Sequence, residues 1–161
     1  MSTTTPAAIR DLLASRVAAL VPGTLAANRF LEHRYELPFA EWAAANPGGA
    51  FRRFAVTEAD EIEPPDVTDG LTEAVFQDFT IEVAYPVDHR AGSQQRTSLA
   101  NLLSADRAQI AKTVGTNGFA TYAAQVPPCA VITTTETRSD LGPVWLGIVR
   151  LRVRYFRDAT P

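Results

Sequence analysis

"VWLGIVRLRVRYFRD", residues Val144–Asp158, decides the fold of this chain. It is rich in Val, Ile, Leu and aromatic residues, and it alternates. Successive side chains on a strand point to opposite faces. Val149, Leu151, Val153 and Tyr155 therefore share one face, and Arg150, Arg152 and Arg154 share the other. The first face belongs in a core. The second carries three positive charges in a row, which must meet carboxylates, a partner or water.

Working outward, "CAVITTTETR" reads as a strand joined to this one through "SDLG". That link is too short for a crossover, so the two strands form an antiparallel hairpin. "AVFQDFTIEVAYPVD", residues 74–88, is a further strong strand closed by Pro86. Phe79, Ile81, Val83 and Tyr85 lie on one face, and Asp78, Thr80 and Glu82 on the other. "FRRFAVTEAD" reads as a strand through about Thr57. The stretch after it, Glu58 to Asp69, holds six carboxylates around Pro64 and Pro65. It is too acidic and too broken for a core element, and an exposed loop insertion is expected at about 58–70.

Three segments have helical signals. "TPAAIRDLLASRVAALVPG" opens with Thr5 as N-cap and Pro6 in the first turn. Ile9, Leu12, Leu13, Val17 and Leu20 make one apolar stripe, and Pro22-Gly23 ends it. "LPFAEWAAANPGG" suits a one- to two-turn helix holding Phe39 and Trp42. "TSLANLLSADRAQIAKTVG" is helical, with a stripe through Leu99, Leu102, Leu103, Ile110 and Val114. Ser98 or Ser104 serves as its cap, and Gly115 stops it.

The resulting fold is α+β: a two-layer sandwich in which a mainly antiparallel sheet of about four strands is covered on one face by two helices. The expected core joins Phe79, Ile81, Val83, Val149, Leu151 and Val153 to Ile9, Leu12, Leu13, Val17, Leu99, Leu103, Ile110 and Val114. The other sheet face is expected to be polar. At 161 residues the chain is one domain, 1–161. A chain of that size buries roughly 70% of its unfolded surface and folds without staples.

A net charge of −3 argues against a general nucleic-acid coat, where a basic excess supplies the phosphate affinity. The N-terminus shows no signal pattern, and no apolar run reaches the roughly 20 residues that span a bilayer. A soluble protein made in a cytoplasm, with no membrane partner, is expected.

Catalytic readings find little support. His33 in "LEHRYE" and His89 in "VDHR" have charged neighbours and read as solvated surface residues. The single cysteine, Cys129, leads an apolar strand and reads as a small buried hydrophobe. "GTNGF" reads as a turn. Asp78 and Glu82, four apart on a strand, stand about 13 Å from each other, too far to share a proton. No catalytic residue, metal ligand or cofactor site is expected.

The arginine face has two readings. Arg150, Arg152 and Arg154 pair with Asp78 and Glu82 across the sheet, or they meet another copy of the chain. Arginine suits interfaces because its planar fork binds carboxylates through two parallel hydrogen bonds. The acidic stretch supplies the opposite charge. The candidate subunit or partner interface is therefore Arg150, Arg152 and Arg154 with Glu58, Asp60, Glu61 and Glu63.

The whole order of elements resembles one family. A helix "AIRDLLASRVAALVPG" is followed by a strand and an acidic stretch. Then come "FTIEVAYPVD", a polar loop, a helix "LLSADRAQIAKTV" containing Asp106, and a hairpin ending in "RLRVRYF". This pattern is similar to the tail-terminator (lambda gpU-like) proteins of long-tailed bacteriophages, over nearly the whole chain. The resemblance implies a structural virion protein with no catalytic activity, assembled in the host cytoplasm. It implies a ring, usually of six copies, on the head-proximal end of the tail tube. Such a ring ends tube polymerisation and joins the tail to the head connector or head-closure protein. DNA only passes through its lumen. The alternatives are another neck protein, either head-closure or tail-completion, and a small-molecule-binding or enzymatic α+β domain.

Overall fold

The computed structural model describes residues 5–34, 38–62, 72–87, 93–116, 129–138 and 143–158. Its elements are α1 (Pro6–Ala19), β1 (Leu31–Glu32), α2 (Phe39–Ala45), a 3-10 turn (Pro47–Gly49), β2 (Arg53–Ile62), β3 (Thr72–Pro86), α3 (Ser93–Ala111), a π turn (Lys112–Thr116), β4 (Cys129–Arg138) and β5 (Val144–Asp158). The α+β class expected from the alternation and the helical stripes is the one observed. The strands form one sheet in the order β1-β2-β3-β5-β4. The four long strands are antiparallel throughout, and the two-residue β1 adds a short parallel pairing with β2.

The centre of the sheet is the β3–β5 ladder, which runs from Thr72 opposite Asp158 to Pro86 opposite Val144. This register sets Phe79 against Leu151 and Ile81 against Val149. The apolar faces of the two strands thus merge into one surface. Two helices cover it. Ile9, Leu13 and Val17 of α1, Leu103 and Ile110 of α3, and Val114 of the π turn join Phe79, Ile81, Val83, Tyr85, Val149, Leu151, Val153 and Tyr155 in one buried cluster. Leu99 packs against it partly buried. Leu12, expected in the core, is only half-buried, because it lies on the flank of the Ile9–Leu13–Val17 stripe. The helix leans toward its other flank, where the small Ala14 is buried.

Helix ends follow local chemistry. Thr5 caps α1: its hydroxyl accepts the Ala8 N–H at 3.3 Å, and Pro6 fills the first helical position. The helix stops at Ala19, before Pro22-Gly23, where Leu20 turns extended. Helix α3 starts earlier than expected, at Ser93, so neither Ser98 nor Ser104 caps it. Gly115 sits within the π turn that follows. A methyl group there would come 2.8 Å from Val131 Cγ2, so glycine lets this turn press against β4.

The far face of the sheet differs from expectation. It is polar along only half its length. Ala55, Ala84, Val144 and Leu146 form an apolar floor over the rest, and Phe39 and Ala43 of α2 are buried on it. A helix too short to contribute much by itself is held there by burial of its aromatic residues. His33, expected in water, belongs to this second cluster and is only 7% exposed. Its ring lies 4.3 Å from that of Trp42 and 5.6 Å from that of Phe39. Burial, aided by the charge of Arg53, lowers its pKa. The two aromatic residues of α2 therefore outweigh the charged neighbours of His33 in sequence. His89 lies outside the described residues.

Beta strand β2 also runs further than expected. Glu58 lies opposite Phe79, Glu61 opposite Gln77 and Ile62 opposite Phe76, with a bulge between Glu58 and Glu61. Residues 58–62 of the expected loop are thus strand, and residues 63–71 lie outside the described residues. Glu58, Glu61 and Ile62 pair with β3 despite the acidic side chains, and the bulge takes up Ala59 and Asp60.

A buried ionic group ties the helix layer to the sheet. Arg52 is fully buried and has a positive φ of 53°. Its guanidinium donates five hydrogen bonds: two to Asp106, and one each to the carbonyls of Thr24, Leu25 and Asn28. Tyr85 donates to the same carboxylate at 2.8 Å. The rings of Phe30 and Phe51 each lie 5.4 Å from the guanidinium carbon. The group anchors the connection from α1 to β1.

Candidate functional site

The open half of the far face carries the three arginines. The parity of β5 points Arg150, Arg152 and Arg154 away from the core, and all three are exposed. Their cross-strand neighbours on β3 are Thr80, Asp78 and Phe76. Arg152 makes a two-pronged pair with Asp78, Nε to Oδ1 at 2.7 Å and Nη2 to Oδ2 at 3.0 Å. This hydrogen bond and the carboxylate charge raise the pKa of Arg152. The pairing within the sheet weighed from sequence therefore exists for this arginine.

Arg154 lies over Phe76, 6.0 Å from its ring centroid. Arg150 is felt by Glu82, one step along on β3. Burial raises the pKa of Glu82, and the positive charge of Arg150 partly offsets that rise. Thr57 of β2, opposite Thr80, completes the open face toward the sheet edge and is exposed. Together these residues make a mixed-charge surface, with α2 packed on the same side of the sheet.

The acidic candidates are placed differently. Glu58 does not join the arginine face. It lies opposite the core residue Phe79 and meets Arg10 of α1 at 3.3 Å. Strand parity decides this: Val56 and Glu58 point to the helix side, and Thr57 points to the open side. The backbones of Asp60 and Glu61 lie in β2 at its bulge, and Glu63 falls outside the described residues. Within one chain the structure brings together the arginines with Asp78 and Glu82, and keeps Glu58 apart from them.

The sequence reading passed over two features. One is the buried Arg52 group. Its signal was Asp106, three residues after Leu103 and four before Ile110, which places a carboxylate directly in the apolar stripe of α3. The other is the sheet's two outer edges, which no residue pattern reveals before the strand order is known.

Among the described residues no helix is long and apolar enough to cross a membrane. No protein-family model matches the chain, and no curated protein matches it.

Proposed function

We propose that the chain is a structural protein of a bacteriophage tail. It forms a ring, with six as the expected copy number, on the head-proximal end of the tail tube. There it ends tube polymerisation and presents a surface to the head connector. The observation that carries this reading is the order of the main elements: an N-terminal helix, then, after the short β1 and α2, two long strands, a helix and a closing hairpin whose last strand shows three arginines to solvent. That order is the one that resembles tail terminators. An exposed face of mixed charge, with Arg150, Arg152, Arg154, Asp78 and Thr57, is suited to contact with like copies or with a tube protein. On this reading the protein is a scaffold and not an enzyme, and DNA crosses the ring without being gripped by it.

The test is assembly. The purified chain is measured by light scattering alone and with the tail tube protein of the same virus, and the tubes are imaged. The expected result is a ring-sized mass and tubes that stop growing when the chain is added. A strict monomer under both conditions, with unlimited tube growth, overturns the reading. Binding to a portal or adaptor protein in place of the tube reassigns the chain to head closure.

A further inference from the structure

We propose that the buried side chains of Gln77 and Tyr155 form a latch that holds the bulge in β2, and that this bulge guards the open edge of the sheet against pairing with other chains. The device is independent of the ring proposed above.

The edge needs a guard. Among the described residues β1 covers β2 only at Arg53 and Phe54, and no strand lies beyond Ala55–Ile62. Such an edge presents unpaired N–H and C=O groups to any other strand. Thr57, Glu58 and Ala59 are exposed along it. Two local features oppose pairing there. The stretch is acidic, with Glu58, Asp60 and Glu61, so a second edge of the same kind is repelled. The bulge acts at any salt concentration, because it bends and twists the strand itself. Glu58 lies opposite Phe79 and Glu61 opposite Gln77, so Ala59 and Asp60 together stand against the single residue Asp78.

Gln77 is bonded to this irregularity. It lies on the core face of β3 between Val75 and Phe79, opposite Val153, and is only 4% exposed. An apolar side chain is the ordinary occupant of such a place, since a buried amide is costly unless it is hydrogen-bonded. Both ends of this amide are bonded. Its Oε1 accepts from the Tyr155 hydroxyl at 3.1 Å, and its Nε2 donates to the Ala59 carbonyl at 3.0 Å.

Ladder carbonyls lie in the plane of the sheet, whereas the Gln77 side chain stands off its face. The bond therefore captures a carbonyl that the bulge has turned out of the ladder. A regular ladder would set Ala59 opposite Asp78 and Asp60 opposite Gln77, and would leave the amide without that acceptor in an apolar site. The buried amide thus penalises a straight edge. Tyr155, fully buried, fixes the amide's orientation by donating to its oxygen. The ion pair of Arg10 with Glu58 at 3.3 Å also reaches the bulge, but it is exposed and holds it only weakly.

The test compares the full-length chain with Gln77→Leu and Tyr155→Phe. Crystal structures give the register. Light scattering gives the mass at about 1 M salt, where a screening length of about 3 Å removes the carboxylate repulsion. Gln77→Leu fills the site with an apolar side chain of similar size. It should fold, set Ala59 opposite Asp78, and at least double in mass over the wild-type particle, with slower amide exchange at 55–62. Adding Thr57→Lys, which puts a charge on the open edge, should return the mass to the wild-type value. Tyr155→Phe keeps the ring and loses the hydroxyl. It should shift register and mass the same way by less, and it carries the test if Gln77→Leu does not fold. A bulge that survives in the variants overturns the latch. A straight β2 at wild-type mass overturns the guard, and so does extra mass that Thr57→Lys leaves in place.

Discussion

Arg52 and Asp106 meet in a two-pronged ion pair at 2.7 and 3.0 Å, with both side chains sealed from solvent. The pair joins the chain just before β2 to the C-terminal part of α3. Two charges taken out of water are costly, and only full hydrogen bonding offsets this. Arg52 has it, and its main chain holds the sheet as well: its N–H reaches Ala84 O at 2.9 Å and its carbonyl accepts from Leu31 at 3.1 Å.

Asp106→Ala should therefore destabilise by about 3–5 kcal/mol in urea unfolding, since it leaves a buried guanidinium without its anion. Arg52→Met with Asp106→Leu should lose less than the two single changes summed. In the double variant the connection at 24–28 loses its anchor, so amide exchange there should speed up even where global stability is kept. A loss under about 1 kcal/mol for Asp106→Ala would show that water reaches the site.

His33 should make the docking of α2 sensitive to pH. Burial, then the Arg53 charge, puts its folded pKa below the ordinary 6.5. The unfolded chain takes up the proton near that ordinary value, and the folded chain only at lower pH. Its contribution to stability is therefore whole above pH ~6.5 and is lost as pH falls toward the folded value. His33→Phe keeps an aromatic ring against Trp42 and removes the titration. The wild-type denaturation midpoint should drop more than the variant's as pH falls through this window, and Trp fluorescence should report α2. Parallel pH profiles would show that His33 does not titrate on unfolding.

Leu151 tests the register of the closing strand. It is fully buried between the helices and lies opposite Phe79. Leu151→Ala should cost about 2–5 kcal/mol, as truncations of buried leucine do. A cost below about half a kcal/mol belongs to surface sites and would put Leu151 on the solvent side.

Charge reversal tests the open face. Arg150→Glu with Arg154→Glu leaves the Arg152–Asp78 pair in place, so the variant should keep a cooperative melt. Like charges across an interface block association more than they disturb folding. The variant should fail to form rings or to stop tube growth. Normal assembly on tubes would leave the arginines as a solvated strand face.

Much of this architecture was legible in the residues alone. Two-residue alternation in 74–86 and 144–155 marked the two central strands and their core faces, because a pleated strand has no other way to bury Phe79, Ile81, Val149 and Leu151 together. The spacing of Ile9, Leu13 and Val17, with Thr5 before them, marked α1 for the same kind of reason: a cap and a stripe are local. The three arginines were on the polar face of their strand by parity.

What lay beyond the sequence was every property that depends on distant neighbours. Six carboxylates around two prolines read as a loop, yet β2 runs on to Ile62 with Glu58, Glu61 and Ile62 paired to β3, because ladder hydrogen bonds form whatever the side chains carry. His33 reads as wet among charged neighbours and is dry beneath Phe39 and Trp42, because α2 folds onto Ala55, Ala84 and Leu146. The sequence by itself determined which faces are apolar, since that is set by periods of two and 3.6. Only the tertiary structure decided which carboxylate each arginine meets and which strands stand at the edges, since both follow from strand order and register, and those are set by packing across the whole chain.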